Sequence, residues 1–290
     1  MIKASVIIPA FNAERTIYKC LESVLNNDYG SFEVIVVNDN SNDNTQDTIK
    51  GFVDNRLRIF TEKTNSGPAF VRNRGIRESI GEILLLLDAD SFVEKDWISR
   101  HVKLHKDMDA DIIGGGIEGV HNTIYGKCDA ICNWWTSIPY SRNYYLKKLH
   151  LPTNNMSIKR EIFNKIGYFD EGLRFGEDAE FCYRALKKQV KIYFRCDLVI
   201  SHYERDNLNE FLAHQRRKGE QVIAMRKKRK LDFHYLIPKS HLLAYLYALP
   251  LSILLTLFII AKWTKYRGSV ILYFPIIFIG KLMHASAIRN

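Results

Sequence analysis

Asp88 and Asp90 flank a single small residue, Ala89, directly after the apolar run Ile83 to Leu87. Two carboxylates placed this way at the end of a buried strand project their oxygens into the crevice beyond it. Hard divalent cations, Mg²⁺ or Mn²⁺, prefer such oxygen donors and bind phosphate oxygens as well. A cation held there neutralises the charge of a departing diphosphate. The other common phosphate and metal signatures are missing. No GxGxxG follows the first strand and no GxxxxGK[ST] occurs anywhere, which argues against a dinucleotide dehydrogenase and a P-loop nucleotidase. The cysteines, Cys20, Cys128, Cys132, Cys182 and Cys196, are odd in number and form no CxxC pair. They support neither a disulfide framework nor a zinc site.

The elements that must position the aspartates are legible as alternating apolar runs. Val6-Ile7-Ile8 reads as a short buried strand ending at Pro9, and Val34 to Val37 as a second. Thr16 to Leu25 and Ala69 to Ser79 have helical spacing. The polar loop Asn38 to Asp43 follows the second strand and is rich in turn formers. Strand and helix alternating at this spacing predict an α/β fold with a mostly parallel sheet, whose ligand crevice lies at the carboxyl ends of the strands. Gly114-Gly115-Gly116 reads as a flexible break. The aromatic group Trp134, Trp135, Tyr140, Tyr144 and Tyr145 is read as core packing, with a sugar or lipid platform as the alternative.

Charge separates the front of the chain from the rear. The net charge is +10 over 290 residues. Residues 1–200 carry 27 basic and 27 acidic side chains, so the whole excess lies in residues 201–290. There the run Arg226 to Lys230 precedes Ser240 to Ala261, which contains no charged residue. A basic segment joined to an apolar one favours a membrane surface over nucleic acid. A second apolar run, Ser269 to Gly280, follows a loop bearing Lys262, Lys265 and Arg267. A complete crossing would put that loop outside, against the positive-inside tendency. A re-entrant or interfacial hairpin with both ends cytoplasmic, bent at Pro250 and Pro275, fits the charges better; a buried hairpin of a soluble domain is the alternative. No amino-terminal signal peptide is expected, since Met1-Ile2-Lys3 runs straight into a strand pattern.

Five segments in order carry a resemblance. They are Ser5 to Asn12 (SVIIPAFN), Val36 to Ser41 (VVNDNS), Asn65 to Asn73 (NSGPAFVRN), Leu86 to Ser91 (LLDADS) and Gly176 to Phe181 (GEDAEF). Together they resemble the family-2 glycosyltransferases, inverting enzymes with the GT-A fold, over roughly residues 3–220. The resemblance implies a nucleotide-sugar donor, with Pro9, Ala10, Asn12 and Glu14 lining the nucleotide pocket and Asp39 binding the base, typically uracil. Gly67 and Arg72 would border the nucleotide. Asp88, with Ala89 beside it, would neighbour the ribose and metal, and Asp90 would ligate the metal directly. Asp178 matches the catalytic base, Glu177 beside it would join the residues that bind the nucleotide-sugar, and His202 lies where many relatives place another metal ligand. Asn155 falls in a region that borders the donor sugar; it would bond a sugar hydroxyl or shape a turn.

Sugar transfer with inversion needs a base for the acceptor hydroxyl and a cation for the leaving phosphate. Asp178 and the Asp90 site would supply them. Taken alone, Asp178 is equally an ordinary first-turn acid of a helix. One departure matters. The Gln-x-x-Arg-Trp motif of polysaccharide synthases is replaced by Gln215-Arg216-Arg217-Lys218-Gly219, so a single transfer is expected rather than processive synthesis. The resulting expectation is a catalytic domain over 1–220, with a nucleotide half (1–110) and an acceptor half (111–220). A basic amphipathic linker (221–239) and a membrane-associated end (240–290) follow. The acceptor would be a lipid-linked glycan or polysaccharide precursor, with the catalytic domain cytoplasmic. A nucleotidyltransferase lacks support because no Gly-rich basic loop follows the first strand, and a non-catalytic scaffold would not need Asp90 or Asp178.

Overall fold

The computed structural model describes residues 2–229 and 241–288. The chain divides into two compact units, one of residues 1–118 and 139–202, the other of 119–138 and 203–290. The boundaries expected at 110 and 220 do not coincide with these units. Residue 220 falls inside a helix, and part of the expected linker, 230–239, lies outside the described residues.

The first unit is built on a sheet. Its opening strands β1 (Ala4–Ala10), β2 (Phe32–Asn38), β3 (Leu57–Thr61) and β4 (Ile83–Leu86) are parallel, in the order β3-β2-β1-β4. β1, β2 and β4 are buried along nearly their whole length. Such strands read as continuous apolar runs, because both sheet faces are covered. The helices between them are α1 (Ile17–Leu25), α2 (Thr45–Lys50) and α3 (Pro68–Glu78). α1 buries Ile17, Cys20, Leu21 and Val24. α3 begins with Pro68 after Gly67, whose φ of 92° suits glycine. β5 (Ser91–Phe92) and α4 (Trp97–Asp107) follow β4.

The sheet then continues antiparallel. β6 (Ile112–Val120), β8 (Met156–Lys159) and β9 (Ile192–Tyr203) extend it in the order β4-β8-β6-β9-β5, and β7 (Tyr144–Tyr145) pairs with β9. α6 (Glu161–Ile166) and α7 (Glu177–Lys187) complete the unit. Its main core joins Leu84, Leu86, Met156 and Ile158 from the sheet to Phe163, Phe169 and Phe181.

The glycine run is strand, not a flexible break. Gly114, Gly115 and Gly116 lie buried in β6. A Cβ on Gly115 would stand 2.0 Å from the Leu198 carbonyl oxygen and 2.2 Å from Asn155 Nδ2. Glycine is required there by close approach.

The second unit is helical: α5 (Ile124–Asn133), α8 (Leu208–Arg229), α9 (His241–Thr264) and α10 (Phe274–Ser286). Cys128, Ile131 and Phe211 share a core with Ile259, Ile260, Trp263 and Ile277, and Trp134 and Trp135 pack against it. Tyr144 packs on the core of the first unit, so the tryptophans and this tyrosine serve packing. Neither proline interrupts a helix. α9 passes Pro250 as one helix, and Pro275 sits in the first turn of α10, where its missing N–H costs nothing.

Candidate active site

The β4 strand delivers Asp88 to the end of the parallel sheet, and Ser91-Phe92 then pairs with Ser201 and His202 of β9. That antiparallel pairing folds Asp90 back toward the imidazole. His202 Nε2 lies 3.2 Å from Asp90 Oδ1. Two cis ligands of an octahedral ion, each about 2.1 Å from it, are about 3 Å apart. A carboxylate oxygen and an imidazole nitrogen at this separation fit one shared cation, and the pair suits Mn²⁺ better than Mg²⁺. Among the described residues no three His, Cys, Asp or Glu side chains gather into a metal-binding group. The remaining coordination positions would fall to diphosphate oxygens and water.

Asp88 has a different partner. Its Oδ1 accepts from Arg72 Nη2 at 2.7 Å, and Arg72 Nη1 donates to Glu177. Arg72 and Glu177 are both buried. Burial alone would lower the guanidinium pKa; the carboxylates of Asp88 and Glu177 outweigh it and hold the group firmly charged. Arg72 and Glu177 tie the strand end carrying Asp88 to the helix start carrying Asp178.

Asp178 is the second residue of α7, after Gly176 in the left-handed conformation (φ 74°). Its Oδ1 accepts from the N–H of Ala179 at 2.7 Å. His150 Nε2 approaches Asp178 Oδ2 to 3.9 Å. A lone histidine in an irregular stretch gave no sequence signal for that neighbour.

The nucleotide loops are stitched together. The N–H of Asn12 (φ 49°) donates to Ser41, and its side chain accepts from the N–H of Asn42. Glu14 accepts from the N–H of Asn44. Pro9 and Ala10 pair with Val37 and Asn38, and the Ala10 carbonyl accepts from the N–H of Asp39. Asp39 is buried, and its two oxygens accept from the N–H groups of Ser66 and Gly67 at 2.7 and 2.8 Å. It therefore fixes the loop that opens α3, and each oxygen retains a lone pair. Ala89 is buried between the two aspartates.

Asn155 is corrected by its surroundings. Its Oδ1 accepts from Trp97 Nε1 at 3.0 Å and faces His101 Nε2 at 3.2 Å. Its Nδ2 donates to the carbonyls of Gly116 and Leu198, both at 2.9 Å. All four hydrogen-bonding positions of the amide are occupied, so it is an internal strut and does not meet a sugar. Its neighbour differs. Asn154 is 1% exposed, and neither amide atom has a hydrogen-bond partner among the described residues. β4 and β8 pair antiparallel with Leu86 opposite Met156. Asn154 itself lies in the short 3-10 turn Thr153–Asn155 that leads into β8. Sequence spacing does not distinguish Asn154 from Asn155; their packing does.

Comparison with known proteins agrees with this geometry. Residues 5–167 match the family described as "Glycosyl transferase family 2". Glycosyltransferase AglE of Haloferax volcanii is 30% identical over 224 residues, covering 74% of this chain and 71% of that protein. The dolichyl N-acetyl-alpha-D-glucosaminyl phosphate 3-beta-D-2,3-diacetamido-2,3-dideoxy-beta-D-glucuronosyltransferase of Methanococcus voltae is 26% identical, covering 89% of this chain and 84% of that protein. In structure, S. aureus TarS 1-349 in complex with UDP-GlcNAc aligns with a TM-score of 0.56 at 19% identity, over 93% of this chain and 76% of that one. The fold is the GT-A type that the motifs imply. With the family's motifs gathered at one end of its sheet, the chain belongs to glycosyl transferase family 2.

Proposed function

We propose that the chain transfers a single sugar, with inversion, from a UDP-sugar to an acceptor carried on a membrane lipid. The observation that carries this is the Asp88–Arg72–Glu177 link. It couples the strand end bearing Asp90 to the helix start bearing Asp178, so the expected metal carboxylate and the expected base share one frame. In this reading the loops around Pro9, Ala10, Asn12, Glu14 and Gly67 hold the nucleotide, with Asp39 accepting from the base. Asp90 and His202 hold Mn²⁺ or Mg²⁺, which when bound would neutralise the leaving diphosphate. Asp178 accepts the proton of the attacking hydroxyl as it closes on the anomeric carbon. Asn154 takes the sugar contact expected of Asn155.

The lipid-linked acceptor is supported by the name of the Methanococcus relative and by the apolar tail of this chain. It puts the catalytic unit on the cytoplasmic side, where nucleotide-sugars are made. The test is turnover of a panel of UDP-, GDP- and dTDP-sugars by the reconstituted full chain with a polyprenyl-linked acceptor, with and without Mn²⁺ and Mg²⁺. Metal-dependent consumption of one UDP-sugar, abolished by Asp178→Asn, is the expected result. No binding or turnover of any donor would overturn the reading.

A further inference from the structure

α9 is built inside out. Its inner side carries Ala248, Ser252 and Thr256 at four-residue spacing, then Ile259, Ile260 and Trp263, all buried. The Ser252 and Thr256 hydroxyls donate to carbonyls of their own helix, Leu249 and Ser252, each at 2.7 Å. The outer surface of the helix presents Leu246, Leu254 and Leu257, flanked by Leu249, which are 63, 65, 52 and 53% exposed. Burial of leucine is favourable in water, yet here four are turned outward while Ala248, Ser252 and Thr256 face in. That is the distribution of a helix whose outer solvent is lipid.

Length alone would let α9 cross a bilayer. Its 24 residues span about 36 Å, against about 30 Å of hydrocarbon. The rest of its unit forbids this. Trp263 Nε1, near the end of α9, donates to the Ile131 carbonyl of α5 at 3.0 Å, and Trp135 meets Phe258 edge-on. α10 is held as firmly. Lys281 Nζ donates to Gln215 Oε1 at 2.9 Å, and Gln215 Nε2 donates to the buried Asp129 at 3.3 Å. Asp129 also receives Arg205 and His214. Gly280 lies so close to the Phe211 ring, and Gly219 to the His284 backbone, that a Cβ on either would collide.

α10 therefore runs beside the first half of α8, which exposes Arg216, Arg217 and Glu220. Carrying α10 through a bilayer would bring those charges with it, which the hydrocarbon core disfavours. Lys262, Lys265 and Arg267 lie exposed at the end of α9. Each basic residue near an anionic surface contributes about 1 kcal/mol.

We propose that α9 docks the second unit on an anionic bilayer leaflet through its Leu246, Leu249, Leu254 and Leu257 face, lying in the interface without crossing. The inference rests on the membrane part of the function proposed above and fixes its geometry. Purified full chain is mixed with sealed phosphatidylcholine vesicles, with or without one-third phosphatidylglycerol, and floated. It is expected to float with the anionic vesicles and to lose at least tenfold of that partition in Leu254→Glu/Leu257→Glu. These positions are exposed, and circular dichroism checks the fold. Unchanged flotation would overturn the proposal; so would unchanged flotation accompanied by conversion of a dimer to a monomer, which would assign the face to a second copy. Arg216→Cys and Lys265→Cys report topology in sealed membrane vesicles of defined orientation. An impermeant maleimide should reach both from the same side, and labelling from opposite sides would show that α9 crosses. UDP titration of the same preparation reads separately: failure to bind UDP would undo the sugar-transfer reading and leave the docking result standing.

Discussion

Asp178 and Asn154 stand at two ends of what a sequence tells about a residue. Asp178 sits in a motif, and its place two residues after a left-handed glycine gives its carboxylate a defined aim. If it is the base, Asp178→Asn keeps the shape and removes the proton acceptor. Turnover should fall by about 10²–10⁴ while the KM for the donor changes little; a loss confined to KM would assign it to binding instead. Asn154 sits in no motif. What distinguishes it is a buried amide with neither atom partnered, a condition that costs free energy unless a ligand group arrives. Asn154→Ala should weaken the UDP-sugar about tenfold, or about 1.4 kcal/mol, and leave UDP affinity unchanged. Isothermal titration with both ligands separates these outcomes, and equal losses for the two would place the residue at the nucleotide.

Elements carry the site through Arg72. Its guanidinium bridges the end of β4 and the start of α7, two segments about ninety residues apart in sequence. Removing one partner of a buried ion pair leaves the others uncompensated and typically costs about 3–5 kcal/mol. Arg72→Ala should lower unfolding stability by that order in urea denaturation. Arg72→Lys should recover part of the stability but little activity, because an ammonium lacks the planar fork that reaches both carboxylates. If Arg72→Lys is as active as the parent, the bridge is not what aligns the site. The strands, the first helices and the DxD turn were legible because fully buried parallel strands write themselves as unbroken apolar runs. β6 was not: its Gly114 to Gly116 run, read as a flexible break, is glycine because the Leu198 backbone and the Asn155 side chain press against it. Long-range contacts of that kind leave no mark in local spacing.

At the scale of the whole molecule, the uneven charge and the apolar tail were plain in the sequence, and the division into units was not. Residues 119–138 leave the sheet's sequence neighbourhood to join the helices after 203, a pairing set by tertiary packing. Folding also creates a pH dependence that composition does not reveal. His101 Nε2 faces Asn155 Oδ1, its Nδ1 meets Ser157 at 2.8 Å, and Ser157 meets His105 Nε2 at 2.8 Å. With both rings neutral, one consistent chain of donors runs from His105 through Ser157 and His101 to Asn155. Burial pushes His101 down to about 3 and His105 to about 4, and burial, then Lys218, takes His214 in the second unit to about 3. The unfolded chain binds protons at these sites from pH 6.5 downward while the folded one does not, so stability is fully present above pH 6.5 and is lost as pH falls toward 4. Each histidine contributes a slope of about 1.4 kcal/mol per pH unit inside that window. Urea midpoints at pH 7, 6, 5 and 4 should therefore decline together with a steepening proton uptake on unfolding. In the native chain the ring protons of these three histidines should stay in their neutral positions at pH 5, where exposed imidazoles have titrated. Titration of all nine histidines near pH 6.5, or a flat stability profile from 6.5 to 4, would mean that the buried chain of rings is not held neutral, and that the strut fixing Asn155 behind the site is looser than its contacts imply.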